Sequence, residues 1–315
     1  GPGAGLAGNS GGSYGGEGGK GYAASRAPTY GSAIAPQDLG SGGGKTGYSQ
    51  TGGPGGGAIR LIVDGTLILN GKISANGNKG GNGAGGGSGG SIYVTTNTLT
   101  GSGSFTANGG EGGDYSGGIY GSGGGGGRIT IYYQTSAFPV TNALAKGGIG
   151  LGGMESGKDG TVSFFDALNN ILYPGHSFRF QENDSPFTFN NIILTNASQS
   201  TTSGSASLIT NSLLIDGGSS LAFTGSQILK SPLLTIRSGS ILILSGQESL
   251  SVTDVIVTGN SVITHSPGGR LYLTTTNLAI DSGSSISADG KGYTFGLGPG
   301  AGLAGNSGGS YGGEG

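Results

Sequence analysis

Four apolar triplets stand 21 residues apart: IIL from Ile192, LLI from Leu213, LTI from Leu234 and VIV from Val255. A fifth, LAI from Leu278, follows after 23. Behind each come small or turn-forming residues and then more apolar ones, as in DGGSSLAF from Asp216, RSGSILIL from Arg237, TGNSVITH from Thr258 and DSGSSISA from Asp281. Alternation over a few residues, broken by Gly, Asn and Ser, predicts short strands joined by tight turns. A sandwich reverses direction at each hairpin and gains nothing from holding one apolar register through four periods. A solenoid sets equivalent positions above one another and requires that register. The expected fold is all-β: a parallel β-helix (solenoid) with coils of about 21 residues.

The preceding stretch repeats the coil with an addition. AIRLIVDGTLILNGKISANG from Ala58 aligns with SIYVTTNTLTGSGSFTANG from Ser91 and with RLYLTTTNLAIDSGSSISADG from Arg270. Each closes on an apolar residue, Ser or Thr, Ala, Asn or Asp, then Gly, and each leads into a glycine-rich tract. The tracts return to strands at GGSIYV, at GGRITIYY and, after a shorter tract, at TVSFF. Gly loses more freedom on ordering than any other residue, and 77 of the 315 residues are Gly. Disordered chains, however, carry high charge, whereas only 10% of this one is charged. The tracts are expected to leave the solenoid at one corner, where two readings stand: an ordered layer of stacked tracts, for which an extended three-fold conformation resembling polyproline II is open, or mobile, solvated loops. Tyr14, Tyr22, Tyr30, Tyr48, Tyr115, Tyr120 and Tyr293, spaced through them, are expected to pack locally.

The string GPGAGLAGNSGGSYGGEG occupies 1–18 and again 298–315, 297 residues later. A repeat of that length reads as one full period, with a short overlap, of a longer tandem array. The chain then divides into a glycine-rich tract with the inter-period junction (1–57), coils with glycine-rich insertions (58–165), regular coils (166–290) and the start of the next period (291–315). Roughly nine or ten coils at about 4.8 Å each would advance roughly 45 Å per period.

Chemistry is sparse. The net charge is −2, with Lys and Arg scattered singly, so nothing offers counterion release on nucleic acid or attraction to an anionic membrane. The absence of Cys removes disulfides, thiolate metal sites and thiol nucleophiles. No apolar run approaches membrane-spanning length. Asp64, Asp216 and Asp281 follow strand triplets, where Asp forms turns. RFQENDS from Arg179 is the densest charged group and reads as a surface loop. His176 and His265 lack partners at metal spacing. GGEGGD from Gly109 is one partial copy of a calcium-binding nonapeptide that acts only in stacked copies. The glycine runs lack the Lys and Ser/Thr of a phosphate-binding loop. TTTN at Thr274 is not repeated in adjacent coils, as an ice-binding array would require. Catalytic, cofactor and metal residues are therefore expected to be none. Two sequons, NAS at Asn196 and NDS at Asn183, are candidate N-glycosylation sites in a secreted chain, the second weakened by Pro186.

GKGYTFGLGPGAGLAG, YGSAIAPQDLGSGGG, GGGAIRLIVDGTLILNGKISANG, GGGSGGSIYVTTNTLTGSGSFTANGG and GGGGGRITIYY together resemble glycine-rich tandem β-helix repeats of very large predicted surface proteins of bacteria and microbial eukaryotes. The resemblance covers about 271–315 and 1–165. It implies an extracellular or cell-surface protein with an adhesive or fibrous role and brings no catalytic residues. The leading expectation is a structural repeat unit of a filament or stalk, its partner being identical periods stacked end to end. The alternatives are a surface adhesin whose partners are glycans and, behind it, a polysaccharide-degrading β-helix enzyme.

Overall fold

The computed structural model describes every residue except 7, 23–24, 47–49, 116, 295, 303–307 and 312–315. Among the described residues there is no α-helix, and the regular structure is almost all strand. In chain order the first half holds β1 (Ala58–Ile68), β2 (Lys72–Ser74), β3 (Ser91–Thr100), β4 (Ser104–Thr106), the pair β5 (Asp114–Tyr115) and β6 (Ile119–Tyr120), β7 (Arg128–Tyr133), β8 (Thr135–Ser136), β9 (Ala143–Leu144) and β10 (Thr161–Asp166). The second half holds β11 (Ile171–Pro174), β12 (Ser177–Phe180), β13 (Phe187–Leu194), β14 (Gln199–Thr202), β15 (Ser207–Ile215), β16 (Ser220–Ala222), β17 (Ile228–Ile236), β18 (Ile241–Leu244), β19 (Ser249–Val257), β20 (Val262–His265), β21 (Asn277–Ile280) and β22 (Ser285–Ile286).

One long sheet runs through both halves in the order β1-β3-β7-β10-β11-β13-β15-β17-β19-β21. Second strands of each coil form a shorter parallel sheet, β2-β4-β9 in the first half and β12-β14-β16-β18-β20-β22 in the second. The 21-residue register appears as direct pairing, Ile192 with Leu213, Leu213 with Leu234 and Leu234 with Val255, and the 23-residue step pairs Val255 with Leu278. Four successive coils, from β13 to β20, pass from the long sheet to the shorter one on two successive left-handed residues: Asn196 and Ala197, Gly217 and Gly218, Ser238 and Gly239, Gly259 and Asn260. Two positive φ values turn the chain most tightly between strands, which explains why Gly, Asn and Ser recur there.

The expectation of one coil direction throughout is corrected at β10. β10 pairs with β7 in parallel but with β11 antiparallel, so the chain reverses once, at the turn 167–170. Asp166 fixes that turn by accepting from the Asn169 backbone and side chain, and Asn170 takes φ 54. The core changes face at the same place. Val162 and Phe164 enter a first core with Ile92, Val94, Leu99, Ile129 and Ile131. Their neighbour Phe165 enters a second core with Leu172, Phe178, Phe180 and the apolar triplets. Successive strand residues point to opposite faces, so the cores lie on opposite sides of the shared sheet.

Candidate functional site

The glycine tracts are ordered without being strand or helix. Between 85 and 90 the backbone donors go to three neighbouring tracts in rotation. Gly85 and Ser88 donate to Gly44 and Ser41, Gly86 and Gly89 to Ser122 and Gly125, and Gly87 and Gly90 to Asn78 and Ala75. Every third residue returns to the same neighbour, which is the signature of a helix with three residues per turn. The tract at 122–127 does the same, Gly123 and Gly126 donating to Glu155 and Lys158, Gly124 and Gly127 to Gly110 and Ala107. Such helices have no internal hydrogen bonds, so each buried N–H is satisfied by the next tract. A Cβ on Gly123, Gly124 or Gly125 would lie 1.9–2.0 Å from a neighbouring carbonyl oxygen. Glycine is required there by the closeness of the backbones.

The first string belongs to this bundle. Gly11, Gly12, Ser13 and Tyr14 are buried, and the Tyr14 hydroxyl meets the Ser91 hydroxyl at 2.7 Å. Of the other spaced tyrosines, Tyr30 packs on Tyr14 at 4.8 Å between ring centroids. Tyr22, Tyr115 and Tyr293 are exposed, Tyr120 is half-buried, and Tyr48 lies outside the described residues.

A strap formed by residues 27–39, which sequence reasoning missed, crosses the outer face of the first-half sheet. Thr130, Tyr132 and Ser91 donate their hydroxyls to the carbonyls of Ala33, Ile34 and Asp38, and Ala33 continues the second core. Arg128, wholly buried, donates to the Tyr30 carbonyl, to Gln181 Oε1 at 2.6 Å and to Thr161 Oγ1, and lies 5.2 Å from the Tyr14 ring centroid. Burial brings its guanidinium down to about 10. The group RFQENDS is therefore only partly a surface loop. Gln181 is buried and donates to the Gly31 carbonyl, while Asp184 accepts from Ser32 Oγ and the Ala33 amide. The available signal was Arg128 itself, a lone cation on an otherwise apolar strand.

The stack leaves both ends uncovered. At one, Ile62 and Ile68 of β1 are 63% and 65% exposed; at the other, Leu278 and Ile280 of β21 are 46% and 41% exposed. Leu61, Leu67 and Ile73 are half-buried on the first core, and Leu271, Leu273 and Ile286 on the second.

An open cleft of about 490 Å³ lies between the bundle and the second half, lined by Glu17, Lys158, Asp159, Arg179, Gln199 and Thr201 among others. His176, read as lacking partners at metal spacing, meets the single carboxylate of Asp159 at 2.8 Å on the rim. His265 is buried against the Ser266 carbonyl. Among the described residues no three His, Cys, Asp or Glu converge on a point. Asp216 pairs with Arg237 of the next coil, which holds its carboxyl below the usual range, and Asp281 accepts from the Gly259 amide. Glu111 in GGEGGD accepts at its carbonyl from the Gly80 amide within the bundle. Asn196 is exposed at a left-handed turn and Asn183 is exposed in the short turn Glu182–Asp184. Among the described residues no helix is long and apolar enough to cross a membrane. Comparison with family models, curated proteins and solved structures returns no match.

Proposed function

We propose that the chain is a structural repeat unit of an extracellular filament or stalk, a β-helical solenoid whose copies stack end to end. One observation carries this reading. The string recurs at a 297-residue period, and within it Tyr14 is fully buried in the glycine bundle while its equivalent, Tyr311, is fully exposed. Half-covered apolar residues at both ends of the stack support it, since an open strand edge pairs with another unless it is blocked. The role is mechanical, with backbone ladders along the axis and glycine helices alongside.

Electron cryo-microscopy of native material, with a denaturing gel in parallel, tests the reading. Continuous fibres with rungs about 4.8 Å apart from a very large chain are expected. Discrete particles of about one period would contradict it. The polar cleft at Glu17, Asp159, Arg179, Gln199 and Thr201 favours a second reading, adhesion to glycans. Saccharide binding lost in Arg179→Ala would support that reading, and no binding would remove it.

A further inference from the structure

We propose that the cleft between the glycine bundle and the second half is a subsite for an acidic saccharide, with Lys158 and Arg179 holding the sugar carboxylate between them. The inference rests on the glycan reading of the cleft above and names the class of sugar. One wall is built of strand. Ser177 and Arg179 of β12 and Gln199 and Thr201 of β14 line the cleft, while the residues that alternate with them, Phe178, Phe180, Ser200 and Thr202, are buried. The strands pair in parallel, Ser177 with Gln199 and Arg179 with Thr201, so the four side chains stand side by side on successive coils. The other wall is glycine tract, and its backbone is fixed: the Lys158 amide donates to the Glu17 carbonyl at 2.7 Å, and the Lys158 carbonyl accepts from the Gly126 amide at 2.9 Å. A site whose walls are already set loses little freedom on binding.

Charge decides what fits. Both carboxylates of the lining are engaged: Asp159 by His176 at 2.8 Å and by the Gly147 amide at 2.9 Å, and Glu17 by Arg26 at 3.7 Å. Arg26 also holds Glu155 at 2.9 Å. The two cations of the lining have no carboxylate. Among the described residues Lys158 makes no ion pair, and Arg179 is half-buried with one neutral acceptor, Thr29 Oγ1 at 3.2 Å. A guanidinium partly removed from water favours a counter-charge, and most of its N–H fork is left for a carboxylate, which it matches bidentately. The β12 and β14 backbones are engaged in their ladder, so an occupant meets side chains. The Ser177 and Thr201 hydroxyls have no protein partner among the described residues, and each can both donate and accept, as a ring of sugar hydroxyls requires.

Isothermal titration of the full chain with trigalacturonate, with its methyl ester and with triglutamate tests the assignment. Trigalacturonate is expected to bind at least about tenfold more tightly than the ester and to weaken as salt rises. Arg179→Lys keeps the charge and loses the fork, and should weaken binding about tenfold. Lys158→Gln, at an exposed side chain, should weaken it similarly without disturbing circular dichroism. Lys230→Gln on β17, outside the cleft, should leave it unchanged. Acid and ester bound equally, and both lost in Arg179→Ala, would overturn the assignment and leave the glycan reading standing; neither bound would remove both. Triglutamate bound as tightly as trigalacturonate would overturn the saccharide in favour of an acidic peptide. Affinity unaltered in both Lys158→Gln and Arg179→Lys would place the ligand elsewhere and also overturn it.

Discussion

Gly124 and Gly65 show that one residue type performs two physical tasks. A Cβ on Gly124 would lie 2.0 Å from the Gly87 oxygen, whereas one on Gly65 meets nothing within 4 Å. Gly124→Ala should lower stability by about 1–3 kcal/mol through overpacking, and Gly65→Ala should leave it unchanged or raise it by up to about 1 kcal/mol; thermal unfolding of the pair decides this. Arg128 is a buried cation held by neutral acceptors, so Arg128→Ala strands Gln181 and the Tyr30 carbonyl and should cost about 1–3 kcal/mol for each stranded group. The tyrosines set the alkaline limit. Burial pushes Tyr14 up to about 12 and raises Tyr30, Tyr132, Tyr133 and Tyr173. The folded state therefore keeps protons that the unfolded chain loses above pH about 10. Their contribution is complete below pH about 10 and is lost as pH rises through the folded values, for Tyr14 near 12. Arg128, lowered to about 10, acts in the opposite sense over this window, one group against five. Tyrosinate absorbance and circular dichroism recorded together should show ionisation and unfolding coinciding above pH about 10.

At the scale of the element, the coil turns and the strap matter most. Ala197 takes φ 56 at the turn where its counterparts one, two and three coils on are Gly218, Gly239 and Asn260. Ala197→Gly removes the steric penalty of a left-handed alanine and should stabilise the protein by about 0.5–1 kcal/mol in denaturant unfolding. The strap is held by a few polar contacts over apolar packing, and Asp184 makes two of them. Asp184→Ala should cost about 1–3 kcal/mol and should speed amide exchange at Ala33 before the second core is affected. If exchange there stays as slow as in the core, the strap is held by Ala33 and Ile34 packing alone.

For the whole molecule, the consequence is that two cores share one sheet and both ends are open. Ile62→Lys on β1 or Leu278→Lys on β21 places a charge on an exposed edge residue, a substitution that blocks strand-to-strand association. Each should leave the thermal midpoint unchanged and abolish end-to-end association measured by light scattering. Unaltered scattering would mean that the ends do not meet through these strands.

The apolar register from Ile192 to Val255 determined, without help, that strands pair at 21-residue steps, because a parallel stack must put equivalent side chains over one another. Glycine content together with low charge left an ordered layer and solvated loops both open, and the hydrogen bonds between tracts decided for order. Tertiary structure decided the rest. Alternation in TVSFFD is the same whichever face meets a core, so nothing local announces that Phe164 and Phe165 enter different cores or that the chain reverses after Asp166. Arg128 gives no sign in sequence of the carbonyls and Gln181 that neutralise its burial, since they stand 98 and 53 residues away. Tyr14 and Tyr311 stand at the same place in one repeated string, yet the first is buried and the second exposed, because burial depends on tracts brought near by folding.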